Sequence, residues 1–130
     1  MNDRINISSK SPWEDKVGYS RAVKTGNQIF VSGTVSTDGK GNVVFENDYY
    51  NQTKFIFEKI EKVLIEAGAT LNNVVRTRMF VVDISNWAAI GKAHLEFFND
   101  IKPAATMVEV KKLINGKCLI EIEVDPVINN

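Results

Sequence analysis

The segment from Lys102 to Val127 constrains the fold most strongly, because it contains two runs in which apolar and polar side chains alternate. Alternation with a period of two is typical of strands that bury one face. The residues on the apolar side of the two runs are Thr106, Val108, Val110, Cys118, Ile120, Ile122 and Val124. Those on the other side are Met107, Glu109, Lys111, Leu119, Glu121, Glu123 and Asp125. We therefore predict two strands with one apolar and one largely acidic face.

The Asn115-Gly116 pair between the two runs is a strong hairpin signal. A two-residue turn there would set Val110 opposite Glu121 and mix the two faces, so the alternation predicts an odd-length loop or a bulge. In that register the valines of the first strand face the isoleucines of the second. The acidic face would then carry Met107, Glu109, Glu121 and Glu123 together.

A first hairpin is predicted near the N-terminus. Segments 17–24 and 28–35 are rich in strand-forming residues and flank the turn signal Thr25-Gly26-Asn27. Gly33 interrupts the second segment at a point where backbone or a ligand can approach closely. The polar residues 1–12 are predicted to be an irregular lead-in.

Two helices are predicted from apolar residues at helical spacing. The first starts at about Asp48 and stops at Gly68, and its outward charges, including Lys59, are interpreted as a solvated face. The second follows Ser85, a candidate N-cap, and ends before Pro103.

Residues 73–83, between the helices, are predicted to form a strand because of their β-branched content. One side would carry Val75, Thr77, Met79 and Val81, and the other Arg76, Arg78 and Phe80. The two arginines are either solvated or neutralise the acidic face of the C-terminal strands.

The order of these elements predicts one α+β domain over residues 1–130, with both helices on one face of a mixed sheet. The opposite face would carry Tyr19, Arg21, Phe30, Ser32, Thr34, Arg76, Arg78, Phe80, Met107, Glu109, Glu121 and Glu123. This set is too aromatic for a solvated face and too charged for a core. It indicates a subunit interface with polar clefts in a symmetric oligomer.

Composition narrows the classes of partner. Sixteen basic and sixteen acidic residues cancel, which disfavours nucleic acid and anionic membranes as partners. The single cysteine, Cys118, is predicted to be a buried apolar residue, as expected in a reducing compartment. His94 is the single histidine and has no ligand partners at metal spacing, so we predict neither a metal site nor a cofactor. With no signal-peptide-like or membrane-length apolar run, we expect a cytoplasmic protein.

Four segments, taken together, resemble the RidA/YjgF family from about Gly18 to the C-terminus. They are G-Y-S-R-A-V-x-x-G-x-x-x-F-V-S-G-T at 18–34, V-V-R-T-R-M-F-V-x-D at 74–83, P-A-A-T-M-V-E-V at 103–110 and I-E-I-E at 120–123. The resemblance implies a chorismate-mutase-like homotrimer with clefts between subunits. It also implies hydrolysis of reactive enamines and imines to keto acids and ammonia.

The resemblance assigns roles to several residues of this chain. Tyr19, Ser32 and Gly33 match cleft positions, and Glu121 matches a glutamate that holds the attacking water. Thr34 and Arg78 join them as candidate ligand contacts, although the hydroxyls of Ser32 and Thr34 can equally serve the backbone.

Three positions depart from the family pattern on the substrate side. Ala105 stands where the family has an arginine that grips the substrate carboxylate, and Met107 stands where deaminating members commonly have a cysteine. Gly91 stands where such members often have a cleft asparagine. The chain therefore resembles branches of the family that lack the arginine.

These departures lead to three functional hypotheses. The first is a homotrimer that binds a small uncharged or differently charged metabolite in its clefts, with Glu121 available as an acid-base or water-positioning group, and that is an inefficient deaminase of 2-iminobutanoate and 2-aminoacrylate. The second is an imine deaminase whose cationic anchor is relocated to one of four other basic residues: Arg21, Arg76, Arg78 or Lys102. The third is a non-catalytic binding trimer.

Overall fold

The computed structural model describes residues 3–129, and these form six strands and three α-helices. The strands are β1 (Ile5–Ile7), β2 (Ala22–Thr25), β3 (Gln28–Val35), β4 (Val74–Val81), β5 (Ala104–Glu109) and β6 (Ile120–Pro126). The helices are α1 (Pro12–Val17), α2 (Tyr49–Glu66) and α3 (Trp87–Phe98). Short 3-10 turns, Leu71–Asn73 and Ile84–Asn86, precede β4 and α3.

The strands form one mixed sheet in the order β1-β2-β3-β6-β4-β5. The β4–β5 pair is parallel and the other pairs are antiparallel. Helices α2 and α3 pack against each other, and α2 also packs on β3 and β6. The predicted α+β class with a mixed sheet is confirmed.

The core lies between α2, α3 and the inner face of the sheet. Asp48 caps the N-terminus of α2, where its carboxylate accepts a hydrogen bond from the Asn51 amide at 2.9 Å. The fully buried apolar residues of α2 are Ile56, Phe57, Ile60 and Leu64, and those of β6 are Ile120, Ile122 and Val124. Each such side chain contributes roughly 1.5–3 kcal/mol to folding, so the regular apolar spacing of these two elements fixes their packing.

The predicted pairing of the last two strands is wrong. Strand β5 pairs with β4 in parallel, and β6 is inserted between β3 and β4. Helix α3 supplies the crossover that a parallel β4–β5 pair requires. The Asn115-Gly116 pair consequently lies in a loop between non-adjacent strands rather than in a hairpin.

The predicted faces of β5 are inverted as a result. Met79 of β4 pairs with Met107, and Met107 packs against the core on the helix side of the sheet. Phe80 pairs with Val108, which is 41% exposed on the opposite face. Met107 and Glu109 therefore do not share a face with Glu121, since Glu121 lies opposite Phe80.

Two β-bulges explain why further residues lie on the opposite side of the sheet from the side that the sequence predicted. The pairing of β4 with β6 shifts between Val74 and Arg76, so Val74 is buried and the predicted inward residue, Val75, is exposed. The pairing of β3 with β6 shifts between Val31 and Thr34, which turns Thr34 into the interior opposite Ile122.

The N-terminal segment is more ordered than predicted. Residues 5–7 form β1 against β2, and α1 starts at Pro12 after Ser11, whose hydroxyl accepts a hydrogen bond from the Trp13 amide. Gly18 ends α1 in the left-handed conformation, with φ of 91°, so the strand predicted from residue 17 begins only at residue 22. Proline at the start and glycine after the end are ordinary signals for a helix.

The predicted cap of the second helix is also wrong. Ser85 lies inside the 3-10 turn, where its amide donates to the Asp83 carboxylate at 3.0 Å. Helix α3 then continues from Trp87 without a side-chain cap.

Within residues 3–129, no helix is both long and apolar enough to cross a membrane.

Candidate functional site

An open groove of about 1340 Å³ brings together half of the residues that the sequence predicted for the site. It is lined by parts of α1, α2, β3 and β6 and by the loops at 37–41 and 113–116. Among the predicted residues, its lining includes Tyr19, Ser32, Gly33 and Glu121. We call this feature the groove.

The bulge in β3 shapes the floor of the groove. The amide of Ser32 donates to the Arg21 carbonyl at 3.0 Å, and the Ser32 hydroxyl donates to the Ser20 carbonyl at 2.7 Å. The hydroxyl proton is therefore committed to the backbone, while the oxygen retains acceptor capacity toward the groove. Ser32 holds the bulge in place whether or not it also contacts a ligand.

Glu121 lies directly over Gly33. A methyl group added at Gly33 would come within 2.8 Å of the Glu121 carboxyl carbon, which is closer than real side chains pack. Glycine at this position leaves room for the carboxylate, and this explains the break in the strand pattern.

The environment of Glu121 favours its protonated form. Burial raises the pKa of this half-buried carboxyl, the charge of Arg21 opposes the rise, and the charge of Glu123 adds to it. A carboxyl group with a raised pKa that lines an accessible groove is suited to proton transfer or to holding a water molecule.

Gly33→Ala is expected to move the Glu121 carboxylate while preserving the fold. The added methyl displaces the carboxylate toward solvent, so the Glu121 pKa should fall toward its ordinary value. An NMR titration of the Glu121 side-chain carboxyl measures the change. The control is Gly39→Ala on the groove rim, whose added methyl meets nothing within 4 Å. An unchanged Glu121 pKa in Gly33→Ala would contradict this geometry.

Two partly buried cations line the groove: Arg21, which was one of the four candidate anchors, and Lys59, which was not a candidate. The Nη2 of Arg21 donates to the Gly33 carbonyl at 2.7 Å, and its guanidinium carbon lies 5.8 Å from the centre of the Tyr19 ring. Lys59 is half-buried rather than part of a solvated face, so that prediction is wrong.

The Lys59 ammonium closes the β3 end of the groove. Its Nζ donates to the Val35 carbonyl at 2.8 Å, to the Thr37 carbonyl at 2.9 Å and to the Thr37 hydroxyl at 3.2 Å. Burial lowers the Lys59 pKa to about 8, which leaves the amine charged at neutral pH. Helical periodicity alone does not identify such a residue, because its acceptors come from a loop far away in sequence.

The other predicted site residues lie outside the groove of the same chain. Thr34 is 2% exposed and its hydroxyl donates to the Ser32 carbonyl at 2.9 Å. Ala105 and Met107 belong to the edge strand β5, on the helix side of the sheet.

The remaining candidate anchors are also placed elsewhere. Arg78 projects from the open face of the sheet, where its Nη1 donates to Asp125 at 2.9 Å and to Glu123 at 3.5 Å. This ion pairing matches the predicted neutralisation of the acidic face. Arg76 is exposed on the same strand, and the Lys102 ammonium donates to the Asn99 carbonyl at 3.1 Å.

His94 is part of the interior and not of the groove. Its ring packs against Phe57 and Phe98, and its Nε2 lies 3.0 Å from the Thr77 hydroxyl. Cys118 is also buried, and burial raises the pKa of its thiol. Across residues 3–129, no three His, Cys, Asp or Glu side chains gather in a way that could hold a metal ion.

The buried imidazole of His94 predicts a loss of stability in mild acid. Burial lowers the His94 pKa below its ordinary value of 6.5, so the unfolded chain binds the proton more readily than the folded one. Stability should therefore fall as pH decreases from about 7.5 to about 5.5, through the ordinary pKa of histidine. The measurement is the urea unfolding free energy at both pH values for wild type and His94→Gln. An identical pH dependence in the two proteins would contradict the assignment.

Comparison with known proteins extends the similarity over nearly the whole chain. A family model described as endoribonuclease L-PSP matches residues 10–128. A RutC family protein of Pyrococcus abyssi is 39% identical over 124 residues, which cover 95% of each chain.

Solved structures show the same similarity. Rv2704 of Mycobacterium tuberculosis, a member of the YjgF/YER057c/UK114 family, is 42% identical with a TM-score of 0.88, covering 97% of this chain and 100% of the other. YyfA of Yersinia pestis, from the Rid protein family, is 29% identical with a TM-score of 0.86, covering 96% and 99%.

Proposed function

Because the chain belongs to the RidA/YjgF family, we propose that it acts in the cytoplasm as a homotrimer that hydrolyses a small imine or enamine in clefts between subunits. The observation that carries this proposal is the half-buried Glu121 carboxyl, which lies over Gly33 in an accessible groove. A carboxyl group whose pKa is raised by burial can hold a water molecule and exchange a proton with it.

The proposed reaction needs only water as a co-reactant. Water held by Glu121 adds to the carbon of the C=N bond, and Glu121 accepts a proton from it. That proton passes to the nitrogen and gives a carbinolamine. Glu121 then relays the hydroxyl proton of this intermediate to the nitrogen, and the C–N bond breaks as the C=O bond forms, which releases ammonia. Tyr19 and the Ser32 oxygen border this position and supply a wall and a hydrogen-bond acceptor.

Trimer formation is supported by the open face of the sheet. This face combines exposed apolar residues, Phe30 at 47% and Val108 at 41%, with the paired charges of Arg78, Glu123 and Asp125. Apolar area interspersed with satisfied polar groups is typical of subunit interfaces.

The match to an endoribonuclease family model does not lead us to propose RNA cleavage. RNA binding gains much of its free energy from counterions that leave the RNA when Lys and Arg side chains neutralise its phosphates. This chain has equal numbers of basic and acidic residues, which does not favour such binding.

The test measures ammonia release from imines generated in situ by a dehydratase, with the molar mass of the protein determined by light scattering. We expect the wild type to accelerate hydrolysis of at least one imine above its spontaneous rate and to have the mass of a trimer. A trimer that accelerates none of them would be a binding protein, and the catalytic part of the proposal would be wrong.

A further inference from the structure

The groove is positively charged although the chain as a whole is neutral. Its charged lining contains two carboxylates, those of Asp38 and Glu121. Against these stand five basic side chains, which are Lys10, Arg21, Lys40, Lys59 and Lys62. A concave site with an excess of one sign of charge attracts ligands of the opposite sign. The lining therefore favours an anionic ligand.

Arg21 has unused hydrogen-bonding capacity beside Glu121. Its guanidinium carries five N–H donors, of which Nη2 serves the Gly33 carbonyl. Its Nε is buried and has no hydrogen-bond partner among residues 3–129. A buried polar atom without a partner is uncommon in folded proteins and calls for a physical explanation.

Neither nearby carboxylate neutralises Arg21 through an ion pair. The ion pairs within 4.0 Å among the described residues join Arg78 to Glu123 and Asp125, and Lys117 to Glu46. Glu14 is committed to Ser9, whose hydroxyl and amide both donate to its carboxylate.

Lys59 differs from Arg21 in this respect. Its three ammonium protons are matched by three protein oxygen acceptors, so it adds positive charge to the groove but no free donor. Of the two partly buried cations, Arg21 is the one with donors to spare.

We propose that Arg21 binds an oxyanion group of the ligand, a carboxylate or a phosphate, and so positions the remainder of the molecule at Glu121. Gly33 links the two functions, because its carbonyl accepts from Arg21 while its Cα lies under the Glu121 carboxylate. A small molecule can therefore place its anion at the guanidinium and its reacting carbon at the carboxyl. The planar guanidinium fork is suited to both carboxylate and phosphate. This inference rests on the proposed function, for which it defines the class of substrate.

The test compares binding of 2-oxobutanoate, its uncharged methyl ester and inorganic phosphate, measured by calorimetry on the full chain. We expect saturable binding of at least one anion, weakened about tenfold or more in Arg21→Gln, because charge-assisted hydrogen bonds are strong. Arg21→Lys keeps the charge and should recover part of the affinity. Binding of the ester should be the same in all three proteins, and this also shows that the groove is still folded. The anion that binds more tightly shows whether the oxyanion group of the ligand is a carboxylate or a phosphate.

A charge-matched control separates local binding from the overall field. Lys54→Gln removes one positive charge from the exposed face of α2, outside the groove, and should leave anion affinity unchanged. The inference is overturned if Arg21→Gln binds the anions as tightly as wild type, if the ester binds as well as the acid, or if neither anion binds at millimolar concentration. Since no turnover is measured, these outcomes are independent of whether the protein hydrolyses imines.

Discussion

Glu121→Gln is expected to reduce imine hydrolysis by about 10²–10⁴-fold, the usual contribution of a positioned general acid or base. Glutamine has nearly the same shape and still accepts a hydrogen bond, but it cannot take up and return a proton. The fold should be unaffected, because the Glu121 side chain borders the groove and the neighbouring Ile120 and Ile122 form the core contacts of β6. The measurement is kcat/KM for the imine on which the wild type is most active.

Glu123→Gln is the matched control for this substitution. It removes the same charge from the same face of the same strand, but outside the groove, where Glu123 is paired with Arg78. We expect it to retain most of the activity. If Glu121→Gln and Glu123→Gln have the same kcat/KM, Glu121 does not take part in the reaction.

Gln52→Leu is expected to destabilise the fold by about 3 kcal/mol, because it removes three hydrogen bonds from a buried side chain to the backbone. Gln52 is fully buried, and its Nε2 donates to the Phe45 carbonyl at 3.2 Å and to the Lys117 carbonyl at 3.1 Å. Its Oε1 accepts from the Leu119 amide at 2.9 Å. This one side chain of α2 therefore holds both the loop at Phe45 and the residues that lead into β6, Lys117 and Leu119. Leucine has a similar volume but makes none of these bonds.

Thermal unfolding at a fixed protein concentration measures the effect, and a loss of about 3 kcal/mol corresponds to a fall in Tm of roughly 10 °C. The control is Glu58→Leu on the exposed face of the same helix, where we expect a change within about 0.5 kcal/mol. Equal Tm values for the two variants would show that the glutamine bonds do not contribute to stability. Because the 113–116 loop precedes Lys117 and lines the groove, Gln52→Leu should also weaken ligand binding.

The long periodic elements could be predicted from sequence because their side-chain pattern reports their own environment. Helix α2 and strand β6 are examples, since each buries one regular set of apolar residues. Strand pairing was not predictable in the same way. The alternation of β5 does not reveal its partner, and the Asn115-Gly116 signal suggested the neighbour in sequence rather than β4.

The faces of β5 were misjudged for a related physical reason. An edge strand has little cover on either side, so Val108 is exposed and Met107 is only partly buried. Polarity therefore does not distinguish its two faces. The bulges in β3 and β4 likewise turned Thr34 inward and Val75 outward, and no local pattern located them.

The candidate site was only partly predictable. Tyr19, Ser32, Gly33 and Glu121 came from the family resemblance, and the structure places them along one groove. Arg21 was one of four cations considered as a replacement for the absent arginine at Ala105. Its selection depends on burial and hydrogen bonding, which arise from tertiary contacts. The Arg21 anchor that we propose corresponds to the second hypothesis, a relocated cation, and the expectation of inefficient deamination stays an untested prediction.

The central claim is that the groove beside Glu121 is the ligand site, and a crystal structure of the full chain with 2-oxobutanoate tests it most directly. We predict a trimer in which the keto acid lies in the groove, with its carboxylate on Arg21 and its carbonyl carbon next to Glu121. The claim would be contradicted if the keto acid were bound elsewhere, or if a neighbouring copy filled the groove and left no space beside Glu121.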